Sequence, residues 1–567
     1  MVHRLSRRWS AVAALGTASL LLAACGTSGG PSTSSTGAVK TGGTLTFALD
    51  EDVAGFNVLQ ATDGEFVLAE ILDQVWPSVY VIHPDLKPVL NTEIVSSVKV
   101  LSNNPQTIQY NINPKANWSD GVPITAQDFI YNWEAQSGNP KYTDVGGKAY
   151  EPASTSGFNQ IKSVTSSNGG KTATVVFATP YSDWQSLFAP IIPAHIADKV
   201  GFNNGFQTFG SPVEVSGGPY EIQSYSPNED LVEVRNPHWW GAPGKLSKIV
   251  FRFITDDSQQ PPAVANDEVN MVNPALASIA FLDSLKGVSN FSTQVDPGLE
   301  FQHIDFNESN FYLAQAGIRH ALAYGTNRAQ LVQRLVDPLT TKIQTLNNHF
   351  YMPTQSQYKD NSAGYGAFDP AKAKALLEAA GMKMGSDGYF HPTSGPEKGQ
   401  DFSLSISTTS GDQVRAEIEE LFQADMKNIG VKITVQNYDA NTLFGTVGPK
   451  GEFDIIEFAW VLTPFASGNQ PIYCSYTDTA VCGINWDHYA NPTVDKLMDH
   501  AIASTSPTTA ASLFNQADGL LWKDMVTLPL FEQPQLFGWS NTYGNILPNT
   551  SNIGIPWNAE QWGVRES

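Results

Sequence analysis

Residues 402–460 place a strand, a long helix, a strand and a second, almost wholly apolar strand in that order, and few folds accept that order. "FSLSIST" (402–408) alternates as a strand does. Residues 412–430 put Val414, Ile418, Leu421, Phe422 and Ile429 on one side of a helix. "VKITVQNYD" (431–439) alternates Val431, Ile433 and Val435. "FDIIEFAW" (453–460) is apolar nearly throughout, as in a strand buried on both faces. Strand, helix, strand implies a right-handed parallel crossover in an α/β sheet. Ligands of such sheets bind outside the carboxyl ends of the strands, and Trp460 lies at one of those ends. The turn after the first strand, residues 408–413, carries a single glycine and is no phosphate cradle, so nucleotide binding has no support.

The remaining chain mixes short strands and helices without an internal repeat. "TLTFAL" (44–49) and "TIQYNI" (107–112) read as strands. Thr125 stands three before Asp128, a capping-box pattern that opens a helix. Asp369 caps another, with Pro370 at its first position. At 567 residues the chain holds roughly three to four domains' worth of sequence. Its net charge is −22, and no basic run follows the amino terminus, which excludes a nucleic-acid partner.

The ten histidines include no pair at H-x-x-x-H spacing, and there is no H-E-x-x-H or C-x-x-C, so no protein-built metal site is expected. Gly26-Thr27-Ser28-Gly29-Gly30 matches G-x-S-x-G formally. It sits in a Gly/Ser/Thr tether with no strand before it and no helix after it, so it is no nucleophile elbow. Neither catalysis nor a cofactor is expected.

Residues 1–24 begin basic and continue as an apolar run from Ala11 to Leu22, the pattern of a signal peptide. The segment Leu22-Ala23-Ala24-Cys25-Gly26 resembles the bacterial lipobox, in which Cys25 would be acylated and become the mature terminus. Two acyl chains would give a stable membrane hold. Residues 25–41 would then be the lipidated cysteine and a flexible tether. In an exported chain Cys474 and Cys482 are expected to pair, a loop closure worth ~2–3 kcal/mol in the chain-entropy model.

Five segments taken together resemble one family. They are residues 42–60; residues 110–133, with Trp118-Ser119-Asp120-Gly121 and Thr125-Ala126-Gln127-Asp128; residues 217–241, with Gly218-Pro219-Tyr220 and Arg235-Asn236-Pro237; residues 318–332; and residues 368–381. In this order they are similar to the extracellular solute-binding proteins of family 5, the peptide, nickel and opine receptors of ABC importers.

The resemblance implies an α/β, two-lobed periplasmic-binding-protein-like fold (type II, cluster C) with an inserted domain and a hinge between lobes. A base would comprise 42–78, 216–302 and 535–567, the insert 79–215 and the second lobe 303–534. Ligand-binding residues would be Trp460, Thr463, Phe465, Asn57 and Tyr489. Peptide-binding relatives often carry an Asp where Thr463 stands, pairing with the peptide's α-ammonium; Thr463 lacks that charge. This favours blocked, modified or longer peptides, or another peptide-like solute.

The partners implied are such a ligand, permease subunits with cytoplasmic ATPases, and the membrane through the lipid. The protein would be a monomer on the extracytoplasmic face of the cell membrane. The alternative is a non-transport lipoprotein of the same fold, acting as an envelope-biosynthesis regulator or sensor. Trp118-Ser119-Asp120-Gly121 reads as a structural turn. Gly217-Gly218-Pro219-Tyr220 reads as a backbone corner near the hinge, and Arg319 and Arg328 as partners of nearby acids.

Overall fold

A computed structural model describes residues 37–60, 62–63, 66–396, 398–476 and 482–566. The signal segment and Cys25 lie outside the described residues.

The backbone of the molecule is one ten-stranded sheet. Across it run Lys432–Val435, Ser403–Ser407, Ile455–Val461, Phe291–Phe306, Thr527–Ser540, Met271–Val272, Thr44–Leu49, Lys248–Phe253, Asp230–Arg235 and Tyr220–Ser226. Ser403–Ser407 pairs parallel with both Lys432–Val435 and Ile455–Val461. The crossover helix is Gln413–Ile429. Asp412 caps it by accepting from the amides of Val414 and Arg415, and left-handed Gly430 ends it. Ile418, Phe422, Met426 and Ile429 form its buried face.

The two halves of the sheet meet on two long strands, Phe291–Phe306 and Thr527–Ser540, which pair antiparallel. Their register breaks between Pro297 and Phe301, and Pro297 lies opposite Pro534. Neither proline has an amide to give the ladder, so the pairing is weakest there. The joint is continuous covalently and thin in hydrogen bonds.

A separate four-stranded antiparallel sheet runs Val95–Asn103, Gln106–Ile112, Thr172–Phe177, Ile161–Ser167. Helix Ala126–Gln136 accompanies it, opened by a complete Thr125/Asp128 capping box. Trp118 is fully buried beneath that helix, its indole donating to Asp128 Oδ1 at 3.2 Å. Turn chemistry and packing therefore account for this signature.

The two arginines differ from expectation in part. Arg319 pairs with Glu308 at 3.0 Å and donates to the Leu313 and Asp524 carbonyls. Arg328 forms no ion pair among the described residues; it donates to the carbonyls of Leu346, Pro529 and Gly366. The fork of a buried guanidinium suits main-chain carbonyls as well as carboxylates.

Candidate ligand-binding cavity

The strand Ile455–Val461 runs out into the corner Thr463-Pro464-Phe465, which forms one wall of a cavity of about 330 Å³. A second wall comes from helix Phe66–Leu72 and its continuation, with Ala69, Leu72, Asp73 and Trp76. A third comes from residues 154–190, including Ser154, Ser156, Phe158, Tyr181 and Gln185.

The corner is closed on itself. The Thr463 hydroxyl donates to the Phe465 carbonyl at 3.1 Å and accepts from the Phe465 amide at 3.2 Å. Its proton and one of its two lone pairs are used within the turn, as in a Ser/Thr turn. Thr463 and Phe465 thus line the cavity, but the hydroxyl is already engaged.

The next turn, Ala466–Asn469, reaches the third wall. The Ser467 and Tyr181 hydroxyls lie 2.8 Å apart, and the Ser467 amide donates to Asp183 Oδ2 at 3.0 Å. The Ser182 amide donates to the Ile502 carbonyl at 2.7 Å. These contacts tie the corner to the third wall and close that side of the cavity.

Asp73 ends the other wall's helix, its amide donating to the Ala69 carbonyl. Its Oδ2 accepts from Gln74 Nε2 at 3.2 Å. Burial pushes the carboxyl up to about 7, and the nearby Glu560 carboxylate pushes the same way. Among the described lining residues Asp73 carries the one formal charge.

The other expected contacts lie elsewhere. Trp460 does not line the cavity: its ring stacks on His303 (5.6 Å between centroids, 14° between planes) and meets Phe458 edge-on at 4.8 Å. Asn57 is fully buried, donating to the Phe202 carbonyl at 2.7 Å and accepting from the Leu59 amide at 3.2 Å. It braces the loop whose Val58 and Leu59 do line the cavity. The Tyr489 hydroxyl donates to Asp524 at 2.8 Å inside its own packing unit. Neither Asn57 nor Tyr489 lines this cavity, and both give their polar groups to their own scaffold.

Cys474 and Cys482 form a disulfide with Cα atoms 5.7 Å apart, and neither residue lines the cavity. Glu457 is fully buried; burial pushes it up to about 8, while the Thr408 hydroxyl donates to it at 3.0 Å. At the surface Asp387, His391 and Asp401 come within 4.8 Å of one another. His391 pairs with Asp387 at 3.0 Å and Lys432 with Asp401 at 3.0 Å, so each acid already has a cation beside it.

Asp73, Tyr181 and Ser467 escaped the reading of the sequence. They come from three distant segments, and no local pattern marks any of them.

The family profile of bacterial extracellular solute-binding proteins, family 5 (middle), matches residues 89–480. The chain belongs to that family. It is 30% identical to the oligopeptide-binding protein OppA of Mycobacterium tuberculosis over 516 residues, covering 89% of this chain and 83% of OppA. It is 26% identical over 431 residues to the probable monoacyl phosphatidylinositol tetramannoside-binding protein LpqW of the same species, covering 69% of this chain and 64% of LpqW. Among solved structures, the periplasmic EDTA-binding protein EppA superposes with a TM-score of 0.86 at 26% identity, covering 94% of this chain and 98% of EppA. The fold is therefore the two-lobed α/β architecture of these binding proteins. Among the described residues, no helix is long and apolar enough to cross a membrane.

Proposed function

We propose that this protein captures an oligopeptide or peptide-like solute in the cavity at residues 463–468 and delivers it to an ABC permease. The observations that support the reading are a cavity walled by three separate segments of the chain and two long paired strands whose register breaks at Pro297, opposite Pro534. Those strands would serve as the hinge. Ligand binding would draw the lobes together, and the permease would recognise the closed form. The similarity to OppA supports a peptide. Affinity for varied peptides would come from backbone hydrogen bonds, with side chains in hydrated pockets. Cys25 would hold the protein to the outer face of the membrane by its lipid.

The similarity to LpqW favours a second reading, a lipoprotein that binds an envelope component and serves no importer. Native mass spectrometry of the purified protein separates the two. A copurified peptide supports the first; a copurified glycolipid supports the second and overturns the first. Thermal-shift screening with a peptide library should give at least one micromolar binder, and a flat screen would count against peptide capture.

A further inference from the structure

Asp73 has acids for neighbours and no cation among the groups that shift it. Glu560 faces it from the segment Ile555–Gln561. Glu233, on strand Asp230–Arg235, and Glu70, on the helix that Asp73 follows, both feel its charge. Both oxygens of Glu233 lack a hydrogen-bond partner among the described residues. Gln74, 5% exposed, gives its Nε2 to Asp73 and leaves its own Oε1 without a donor among them. It lines a second cavity of about 340 Å³ that shares Asp73, Ser78 and Val81 with the first. Asp73 also follows the last turn of a helix, where backbone carbonyls add negative potential. A carboxylate in such surroundings is costly unless a cation meets it, and this one opens onto the ligand cavity.

We infer that Asp73 is the anchor for a cationic nitrogen of the ligand, so that the solute taken up carries an ammonium group placed against helix Phe66–Leu72. This rests on the capture reading above and names its ligand class. The ammonium would form a charge-assisted hydrogen bond to the carboxylate. The Thr463 corner, with its hydroxyl engaged, would shape the opposite side without charge.

The test uses four peptides of one sequence, Phe-Ala-Xaa-Ala, with the amino terminus free or acetylated and Xaa either lysine or norleucine. Calorimetry should show the cation-bearing peptides binding about tenfold tighter than the acetylated norleucine peptide. Asp73→Asn should abolish that preference. A second measurement needs no variant. Near pH 6.5, in two buffers of different ionisation enthalpy, wild-type protein should release protons on binding the cationic peptides only. Equal binding of all four peptides, or a preference that survives Asp73→Asn, overturns the assignment while capture stands. Binding of none overturns both.

Discussion

The two walls of the cavity treat their polar groups in opposite ways. The corner at 463–468 satisfies itself: the Thr463 hydroxyl closes its own turn, and Ser467 is held by Tyr181 and Asp183. The wall at Asp73 leaves its carboxyl without a cation, with Glu560 nearby and Gln74 Oε1 unpartnered among the described residues. A wall that is already paired contributes shape. A wall that is not contributes chemistry, and it should show itself whenever charge is changed.

pH should therefore have the largest effect. Burial holds Asp73 at about 7, and Glu457 and Glu532 at about 8, in the folded protein, whereas unfolded carboxyls titrate near 4. Between these values the folded protein binds more protons than the unfolded one, so stability falls as pH rises. It is fullest below about pH 4 as far as these groups decide it, and their contribution is gone above about pH 8. Urea denaturation of ligand-free protein should give a lower midpoint near pH 8.5 than near pH 6. Asp73→Asn should remove its share of that fall, on the order of a few kcal/mol, and Thr463→Val should leave the fall unaltered. A midpoint that rises with pH would remove the contrast between the walls.

The next effect is mechanical. Gly218 lies against the backbone that carries Gln74: a Cβ there would fall well inside contact distance of the Gln74 carbonyl oxygen. The corner at Gly218 thus also props the wall that carries Asp73. Gly218→Ala must push that backbone away, since the clash is with main chain. Overpacking of this kind costs roughly 1–3 kcal/mol, read as a lowered Tm. Peptide affinity should fall with it, because Asp73 moves with its neighbour. A Gly218→Ala protein of normal Tm and normal affinity would show that the wall is not held from this side.

Thr463→Asp tests the quiet wall directly. Aspartate can still accept from the Phe465 amide, though it cannot donate to the Phe465 carbonyl as the threonine hydroxyl does, so the fold should be kept. The new carboxylate should favour peptides with a free amino terminus by roughly tenfold, the worth of one charge-assisted hydrogen bond. Paired calorimetry on free and acetylated peptides reads it. An unchanged preference would mean the corner does not touch the ligand's amino terminus.

Much of the contrast was beyond the reach of sequence. The unit at 402–460 was legible because its periods are local: the helix face Ile418, Phe422 and Ile429 repeats as helices do, and Asp412 and Gly430 mark its ends. The Thr125/Asp128 box and the buried role of Trp118 were legible for the same reason. The corner's place in the cavity followed from the strand that precedes it. Asp73 was not legible, because Glu233 and Glu560 meet it only once the sheet and the C-terminal segment have folded. Trp460, expected at the ligand, does not line this cavity. At the end of a strand the side-chain alternation and the turn decide direction, and here they send the ring onto His303. Asn57 and Tyr489 show the same limit: a polar residue near a site can be fully occupied by its own scaffold.

The smallest effect concerns how the walls are brought together. Ser467 makes two contacts across the cavity, but its amide bond to Asp183 survives any change of side chain. Ser467→Ala removes only the hydroxyl bond to Tyr181, worth about 1 kcal/mol net. The Tyr181 hydroxyl keeps Ser156, 3.4 Å away, as a second neighbour, which softens the loss. If that bond helps hold the closed form, the variant should bind peptide several-fold more weakly. The loss should appear as faster dissociation, with association unchanged, because the contact forms after the ligand has entered. A weakening equal for the cationic and the acetylated norleucine peptides would place Ser467 in closure alone. A weakening confined to the cationic peptides would mean that the self-satisfied wall also feels the ligand's charge, and the division between shape and chemistry would have to be redrawn.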